Sequence, residues 1–258
     1  MLHFFRKMRK ALIPESRFGR YFFYALGEIV LVVIGILIAL QVNNWNQSRN
    51  LKKQEKILLA EIHAEFKYNK AELESNLLRY SESFSSLNKI IDLFPIDLET
   101  TNLDSLGIYL NRTVFRGNYD YSNTALQKIK MATSYDIISN KELRNLLLEW
   151  EVVLADYMEI EESTIKHLEQ QYEPVLYNYF TRPYQIGFKD PRANLEFLET
   201  IEFESLIDAR RRRISNLFAA VNRSIFKHSI NEILDHIIEL SGEGLPETSL
   251  DSTINENL

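Results

Sequence analysis

Residues 21–42 read YFFYALGEIVLVVIGILIALQV and contain one charged side chain, Glu28, and one further strongly polar side chain, Gln41. As a helix that rises about 1.5 Å per residue, this stretch would span about 33 Å. The hydrocarbon core of a bilayer is roughly 30 Å thick. The stretch therefore predicts a transmembrane helix and, with it, a single-pass membrane protein.

A cleaved secretory signal peptide is the main alternative for this region, because it also combines a basic start with an apolar centre. That centre is normally about 7–15 residues long and is followed by a small-residue cleavage site. Here the apolar run ends in QVNNW at residues 41–45, which lacks such a site. This ending also places Trp45 at the membrane–water interface, where aromatic residues are enriched. We therefore interpret the helix as an uncleaved signal-anchor.

The charges on either side of the span predict its orientation. Six basic residues precede it and four follow it closely: Arg6, Lys7, Arg9, Lys10, Arg17 and Arg20 before, and Arg49, Lys52, Lys53 and Lys56 after. The positive-inside rule then predicts a cytoplasmic N-terminus. The C-terminal domain is expected on the extracytoplasmic (periplasmic) side of the inner (cell) membrane. Residues 1–20 form either a basic amphipathic helix on the membrane surface or a topology signal without a further role.

One face of the predicted transmembrane helix differs from the rest, because it carries Ala25, Glu28, Val32, Gly35 and Ala39 at spacings of three and four. Small residues let helices approach closely in lipid. A charged side chain near the membrane centre costs roughly 2.5–3.5 kcal/mol on insertion scales, so Glu28 is expected to be protonated or paired. The face predicts packing either against a second copy or against another membrane protein that supplies a cation or an ion pathway.

Two stretches resemble the bacterial domain-of-unknown-function 6090 family. The N-terminal one is RKMRKAL followed by YFFYALGEIVLVVIGILIALQVNNWN, and the second is NTALQKIKMATSYDIISNKELRNLLLEW at residues 123–150. The second departs from the family pattern at Ala132, Thr133 and Ser134, where relatives tend to have Ser-Gly. The resemblance implies an uncharacterised protein of the bacterial cell envelope, and it provides no known catalytic residues to carry over.

Apolar residues at helical spacing predict three long helices beyond the membrane. The first stripe contains Leu58, Ile62, Phe66, Leu73, Leu77, Tyr80, Phe84, Leu87, Ile91 and Phe94 and stops at Pro95. The second helix is expected to begin at a capping box, Ser139-x-x-Glu142, and to reach about Tyr172. The third is expected at about residues 194–240, ended by Ser241-Gly242.

These stripes predict a mainly α protein, in which one N-terminal transmembrane helix continues as a stalk into an extracytoplasmic helical bundle. Four regions follow: a basic cytoplasmic segment (1–20), the transmembrane helix (21–42), a bundle domain with a long, coiled-coil-like stalk (43–242) and a disordered acidic tail (243–258).

Composition excludes several classes of function. The chain has no cysteine, so disulfides, thiolate metal sites and a cysteine nucleophile are absent. The formal net charge is −6, and the chain after residue 42 has 24 Lys and Arg against 34 Asp and Glu, so it is acidic and no nucleic-acid partner is expected. HExxH, GxSxG, P-loop and GxGxxG motifs are also absent.

His228, Glu232 and His236 form the best metal-like pattern, at i, i+4 and i+8 of a predicted helix. His228 and Glu232 lie about 200° round the helix from the apolar Ile230, so a solvated surface is the favoured interpretation and no metal is predicted. His167 extends an apolar stripe and is interpreted as an interior or rim group whose hydrogen bonds are satisfied. The run 210–213 cannot form one patch on a helix. Ion pairing is expected instead, either with other helices or with the acidic region that contains Glu196, Glu199, Glu202 and Glu204.

The sequence thus favours an uncharacterised membrane-anchored helical interaction or sensory module, without enzymatic activity and without a cofactor. Its expected partners are the lipid bilayer and either a second copy or another membrane protein. The alternative is a membrane-tethered hydrolase or metal-dependent enzyme whose site is not visible in the sequence.

Overall fold

The computed structural model describes residues 17–131, 135–180, 190–225, 227–243 and 245. Most of the predicted basic segment (1–20), the loop at 181–191 and the tail (243–258) therefore lie outside the described residues. The described residues form seven α-helices: α1 Arg17–Ile91, α2 Leu103–Thr113, α3 Thr124–Met131, α4 Lys141–His167, α5 Glu173–Tyr179, α6 Ile201–Val221 and α7 Ile230–Gly242. They include no strand, and the mainly α prediction is confirmed.

The chain divides into two compact units, Met1–Glu55 and Lys56–Leu258. In the first unit, every residue from 25 to 54 is exposed, including the apolar side chains around Gly35. This part of α1 is long and apolar enough to cross a membrane, and none of its most apolar window is buried. Apolar side chains left exposed on this scale need hydrocarbon or another protein surface around them.

The second unit has a hydrophobic core built from the predicted stripes. On α1, the residues Ile62, Phe66, Leu73, Tyr80 and Leu87 are fully buried, and the other members of the first stripe pack against the core. On α4, Leu143, Leu146, Trp150, Val153 and Tyr157 are buried. The apolar periodicity therefore identified the core faces of both helices correctly.

The start of α4 differs from the prediction by one residue. Asn140 rather than Ser139 is the N-cap, and its side-chain oxygen accepts hydrogen bonds from the backbone N–H groups of Glu142 and Leu143. Asparagine and serine are comparably good caps, so two adjacent candidates compete and the sequence pattern alone does not separate them. The helix continues into a π-helical turn, Leu168–Tyr172. Pro174 then lies in the first turn of α5, directly after this π-helical turn.

The single helix predicted over residues 194–240 is wrong. The chain instead forms a 3₁₀ turn, Leu195–Glu199, and then α6 and α7. Thr200 caps α6 by accepting from the N–H of Phe203. Ser229 and Glu232 form a capping box that begins α7. These two caps satisfy backbone donors at new helix starts, and they interrupt an apolar pattern that by itself indicated one continuous helix.

Candidate functional site

The predicted packing face of the membrane helix is open. A shallow groove of about 300 Å³ is lined by Ala25, Glu28, Ile29, Val32 and Val33. No atom lies within 4 Å of a Cβ placed on Gly27 or Gly35, apart from the helix's own backbone and adjacent residues. The surface is therefore sterically free to receive another helix, and packing through Ala25, Glu28, Gly35 and Ala39 stays a prediction.

In the second unit, a polar stripe on α1 holds the irregular segment between α2 and α3. Asn69 and Ser122 are joined by two hydrogen bonds: Nδ2 of Asn69 donates to the Ser122 carbonyl (2.8 Å), and its Oδ1 accepts from the Ser122 N–H (2.7 Å). Oε2 of Glu65 accepts from the Ser122 hydroxyl (3.0 Å) and from the Ala125 N–H (2.9 Å). The segment thus relies on helix side chains for hydrogen bonds that a strand or helix would supply from its own backbone.

Glu161 of α4 completes this network from the other side. It is 1% exposed and accepts from Asn76 Nδ2 (2.5 Å), from the Tyr157 hydroxyl (3.3 Å) and from the Tyr119 N–H (3.1 Å). Burial and the neighbouring Glu161 raise the pKa values of Tyr119 and Tyr157 above the usual range. Both phenols therefore stay protonated at neutral pH and can act as donors.

The sequence did not identify this polar network, although it carries a signal for it. Each of the α1 residues Glu65, Asn69, Asn76 and Ser83 is buried and lies three residues after a member of the apolar stripe. Residues three apart on a helix are neighbours on one face. Polar residues at a constant offset from a core stripe are thus candidates for a buried polar seam.

An open cavity of about 500 Å³ adjoins the network. Its wall consists of Glu65 and Tyr68 of α1 and of residues 120–124. The wall contains two carboxylates and two tyrosine rings, and none of its residues is a lysine or an arginine. Such a surface attracts cations and repels anions.

The arginine run at 210–213 divides between core and surface. Arg210 is fully buried and donates to three backbone carbonyls: those of Thr113 (3.2 Å), Thr164 (2.9 Å) and Phe115 (2.9 Å). Burial lowers its pKa from the ordinary value. Arg211 and Arg212 instead pair with Asp208 on their own helix. Two members of the run therefore form ion pairs, but within their own helix rather than with Glu196–Glu204 or another helix as predicted, while Arg210 connects α6 to α4 and to the end of α2.

His167 is an interior group, as expected from its position on the α4 stripe. It is 6% exposed, and its Nδ1 has no hydrogen-bond partner among the described residues. Burial, together with the positive charges of Arg210 and Arg213, lowers its pKa to about 4. The imidazole is therefore neutral at pH 7, and it adds no further positive charge beside the buried arginine.

The histidines of the metal-like pattern lie at the surface of α7 and its N-terminal cap. Nδ1 of His228 lies 3.2 Å from Oε2 of Glu149 on α4, a partner that the sequence pattern did not indicate. The His228 and His236 rings meet edge to face, 5.1 Å apart. Glu232 directs Oε2 to the N–H and hydroxyl of Ser229 in the capping box. Within the described residues, no three histidine or carboxylate side chains are grouped so as to hold a metal ion.

Fold and surface together define a class: a helical protein whose described residues include one helix, near the N-terminus, that is long and apolar enough to cross a membrane. The model of a family of unknown function, DUF6090, matches residues 28–148 of the chain. The resemblance drawn from the sequence is thereby confirmed, and the matched residues include Glu28, Gly35, Ala39 and the whole cavity wall. No curated protein and no solved structure matches the chain.

Proposed function

We propose that this protein is a single-pass, membrane-anchored interaction module that assembles through the face of its membrane helix formed by Ala25, Glu28, Gly35 and Ala39. The observation that carries the proposal is the open groove beside Glu28 on an otherwise apolar, fully exposed helix. A carboxyl group facing lipid is costly, so a partner helix that offers it a hydrogen bond or a cation would stabilise the assembly. Gly35 and Ala39 would let the two backbones approach closely.

The proposed orientation places the N-terminus in the cytoplasm and the Lys56–Leu258 unit outside the inner membrane. It rests on the excess of basic residues before the span. The chain has no cysteine, so single-cysteine variants report the topology directly. We expect a membrane-impermeant maleimide to label Ser205→Cys, at an exposed position of α6, and not Ser16→Cys on intact spheroplasts. The reverse pattern would place the unit in the cytoplasm.

Gly35→Leu is expected to weaken assembly of the full chain in detergent micelles by roughly tenfold, or about 1.4 kcal/mol. The added side chain would hold the helices apart at their closest point. Gly27→Leu is the matched control, because it adds the same volume about 80° round the helix, on the side away from Ala39. Sedimentation and co-purification measure the change.

Unchanged assembly in Gly35→Leu, or equal losses in both variants, would contradict the proposed face. Glu28→Gln then separates its two possible occupants. If the partner is a second copy with hydrogen-bonded neutral carboxyl groups, glutamine preserves self-association. If the partner is a membrane protein that supplies a cation, Glu28→Gln reduces co-purification of that protein, because the ion pair is lost.

A further inference from the structure

Basic side chains follow the apolar span of α1 on one face of the helix. This face begins at Trp45, directly after the span. Arg49, Lys52 and Lys53 follow four, seven and eight residues later, so helical geometry places all of them within a sector of about 100° around the axis. The four side chains are exposed and belong to the same compact unit as the span. We call the three cations the basic face.

The surroundings of the basic face leave it positively charged. Residues 43–60 contain one further basic residue, Lys56, and a single acidic residue, Glu55. Glu55 borders the face and offsets one of the charges. The next acidic residue along the chain, Glu61, is paired with Lys128. The field at the face therefore favours an anionic occupant.

The side chains of the basic face lean toward the span. Long side chains on an α-helix point back toward its N-terminus, and here the span lies on that side. Arg49 shows this direction, because its guanidinium lies over the ring of Trp45, 5.8 Å from the ring centroid. Lys53 is only about 12 Å further along the helix than Trp45, and lysine and arginine stems extend their charges toward the headgroups. All three cations are therefore within reach of lipid phosphates when Trp45 lies at the membrane–water interface.

We propose that Arg49, Lys52 and Lys53 bind the phosphate groups of anionic phospholipids in the leaflet where α1 leaves the bilayer. Arginine binds phosphate through a planar fork of donors, and lysine binds it as a point charge. Basic residues directly beside a membrane helix each strengthen binding to an anionic surface by about fivefold. The proposal rests on the proposed membrane anchoring, but neither on packing through Glu28 nor on the orientation of the span.

A lipid surface fits this face better than free phosphate does. Every residue from 41 to 54 is exposed, so the face is an open helix surface and no wall encloses a small ion. A bilayer instead holds many phosphates together at the level of the helix where these side chains end. A topology signal does not account for the cations, because basic residues after the span oppose the orientation that the residues before it favour.

Lipid-selective quenching of Trp45 tests the proposal. The full chain is reconstituted in phosphatidylcholine vesicles that contain phosphatidylglycerol, with brominated acyl chains on one of the two lipids at a time. Bromine quenches an indole that touches the lipid, and Trp150, the second of the two tryptophans, is fully buried and gives a constant background. We expect phosphatidylglycerol to associate beside Trp45 at least about fivefold more strongly than phosphatidylcholine. Raising the salt from about 0.1 M to 1 M shortens the Debye length from about 10 Å to 3 Å and should remove most of this preference.

The double variant Lys52→Gln, Lys53→Gln should reduce the preference at least about threefold, while Arg49 and its contact with Trp45 remain. The matched control is Lys67→Gln, Lys141→Gln. It removes the same charge from exposed positions of the other compact unit and should leave the preference unchanged.

Equal association of the two lipids with the wild type, or equal losses in the two double variants, would overturn lipid binding and leave membrane anchoring intact. Absence of quenching by either brominated lipid would overturn both, because Trp45 would then not lie at a bilayer. A preference that millimolar inorganic phosphate abolishes at constant ionic strength would assign the cations to free phosphate and would also overturn the proposal.

Discussion

Replacing Arg210 with alanine is expected to lower the free energy of unfolding of the Lys56–Leu258 unit by about 3–5 kcal/mol. The guanidinium is fully buried and donates to the carbonyls of Thr113, Phe115 and Thr164. Alanine would remove one donor from each of these three carbonyls, of which that of Thr164 still accepts from the Leu168 N–H, and would create a cavity in the core. The loss is measured by urea unfolding of the full chain in detergent, followed by near-ultraviolet circular dichroism.

Two further substitutions at Arg210 separate its hydrogen bonds from its volume. Arg210→Met fills most of the space without donors, and Arg210→Lys keeps the charge but cannot reach three carbonyls in a planar fork. Both are expected to be less stable than the wild type and more stable than Arg210→Ala. Arg212→Ala is the matched control, because Arg212 is exposed and pairs only on its own helix; its effect should stay within about 0.5 kcal/mol. Comparable losses in Arg210→Ala and Arg212→Ala would contradict a structural role for the buried arginine.

Arg210 also shows where sequence patterns stop being informative. Four consecutive arginines on a helix point in four directions, so one of them facing the core is expected from geometry alone. Which one does so depends on the phase of the apolar positions Phe203, Ile207, Ile214 and Leu217, which are buried in α6. Arg210 lies three residues after Ile207 and four before Ile214, on that same face. The sequence therefore indicated that Arg210 faces the core. The carbonyls that accept its hydrogen bonds come from α4 and from the end of α2, and no local pattern predicts that contact.

The helices themselves were predictable where the apolar period was long and uninterrupted. The apolar stripes of α1 and α4 identified the core faces of these helices, because apolar residues that recur with a period of 3.6 residues lie on one side of a helix. The break between α6 and α7 was missed, because Ser229-x-x-Glu232 lies inside a stretch with continuing apolar spacing. Local capping there outweighs the periodic pattern, which does not distinguish one long helix from two shorter ones.

The candidate cavity could not be predicted from local pattern at all. Its wall joins Glu65 and Tyr68 to a segment more than fifty positions further along the chain, and the register between them is set by the paired hydrogen bonds of Asn69 and Ser122. The open face around Glu28 is the opposite case, since one helix carries all of it. Local spacing was therefore sufficient to define that face, while the partner proposed for it lies outside the chain.

Glu161→Gln is expected to destabilise the Lys56–Leu258 unit by about 2–4 kcal/mol and to loosen the 117–125 segment. The side chain accepts from Asn76, Tyr157 and the Tyr119 N–H inside the core, so an amide at this position must face at least one of these donors with a donor of its own. Urea unfolding measures the global effect, and hydrogen exchange of the Tyr119 amide measures the local one.

Glu162→Gln is the control for this substitution, because its exposed side chain pairs only with Lys166 one turn away and should contribute less than about 0.5 kcal/mol. Faster exchange at Tyr119 in Glu161→Gln alone would show that the buried carboxyl group holds the segment. Wild-type stability and wild-type exchange in Glu161→Gln would mean that Glu65 and Asn69 position the wall without help from α4.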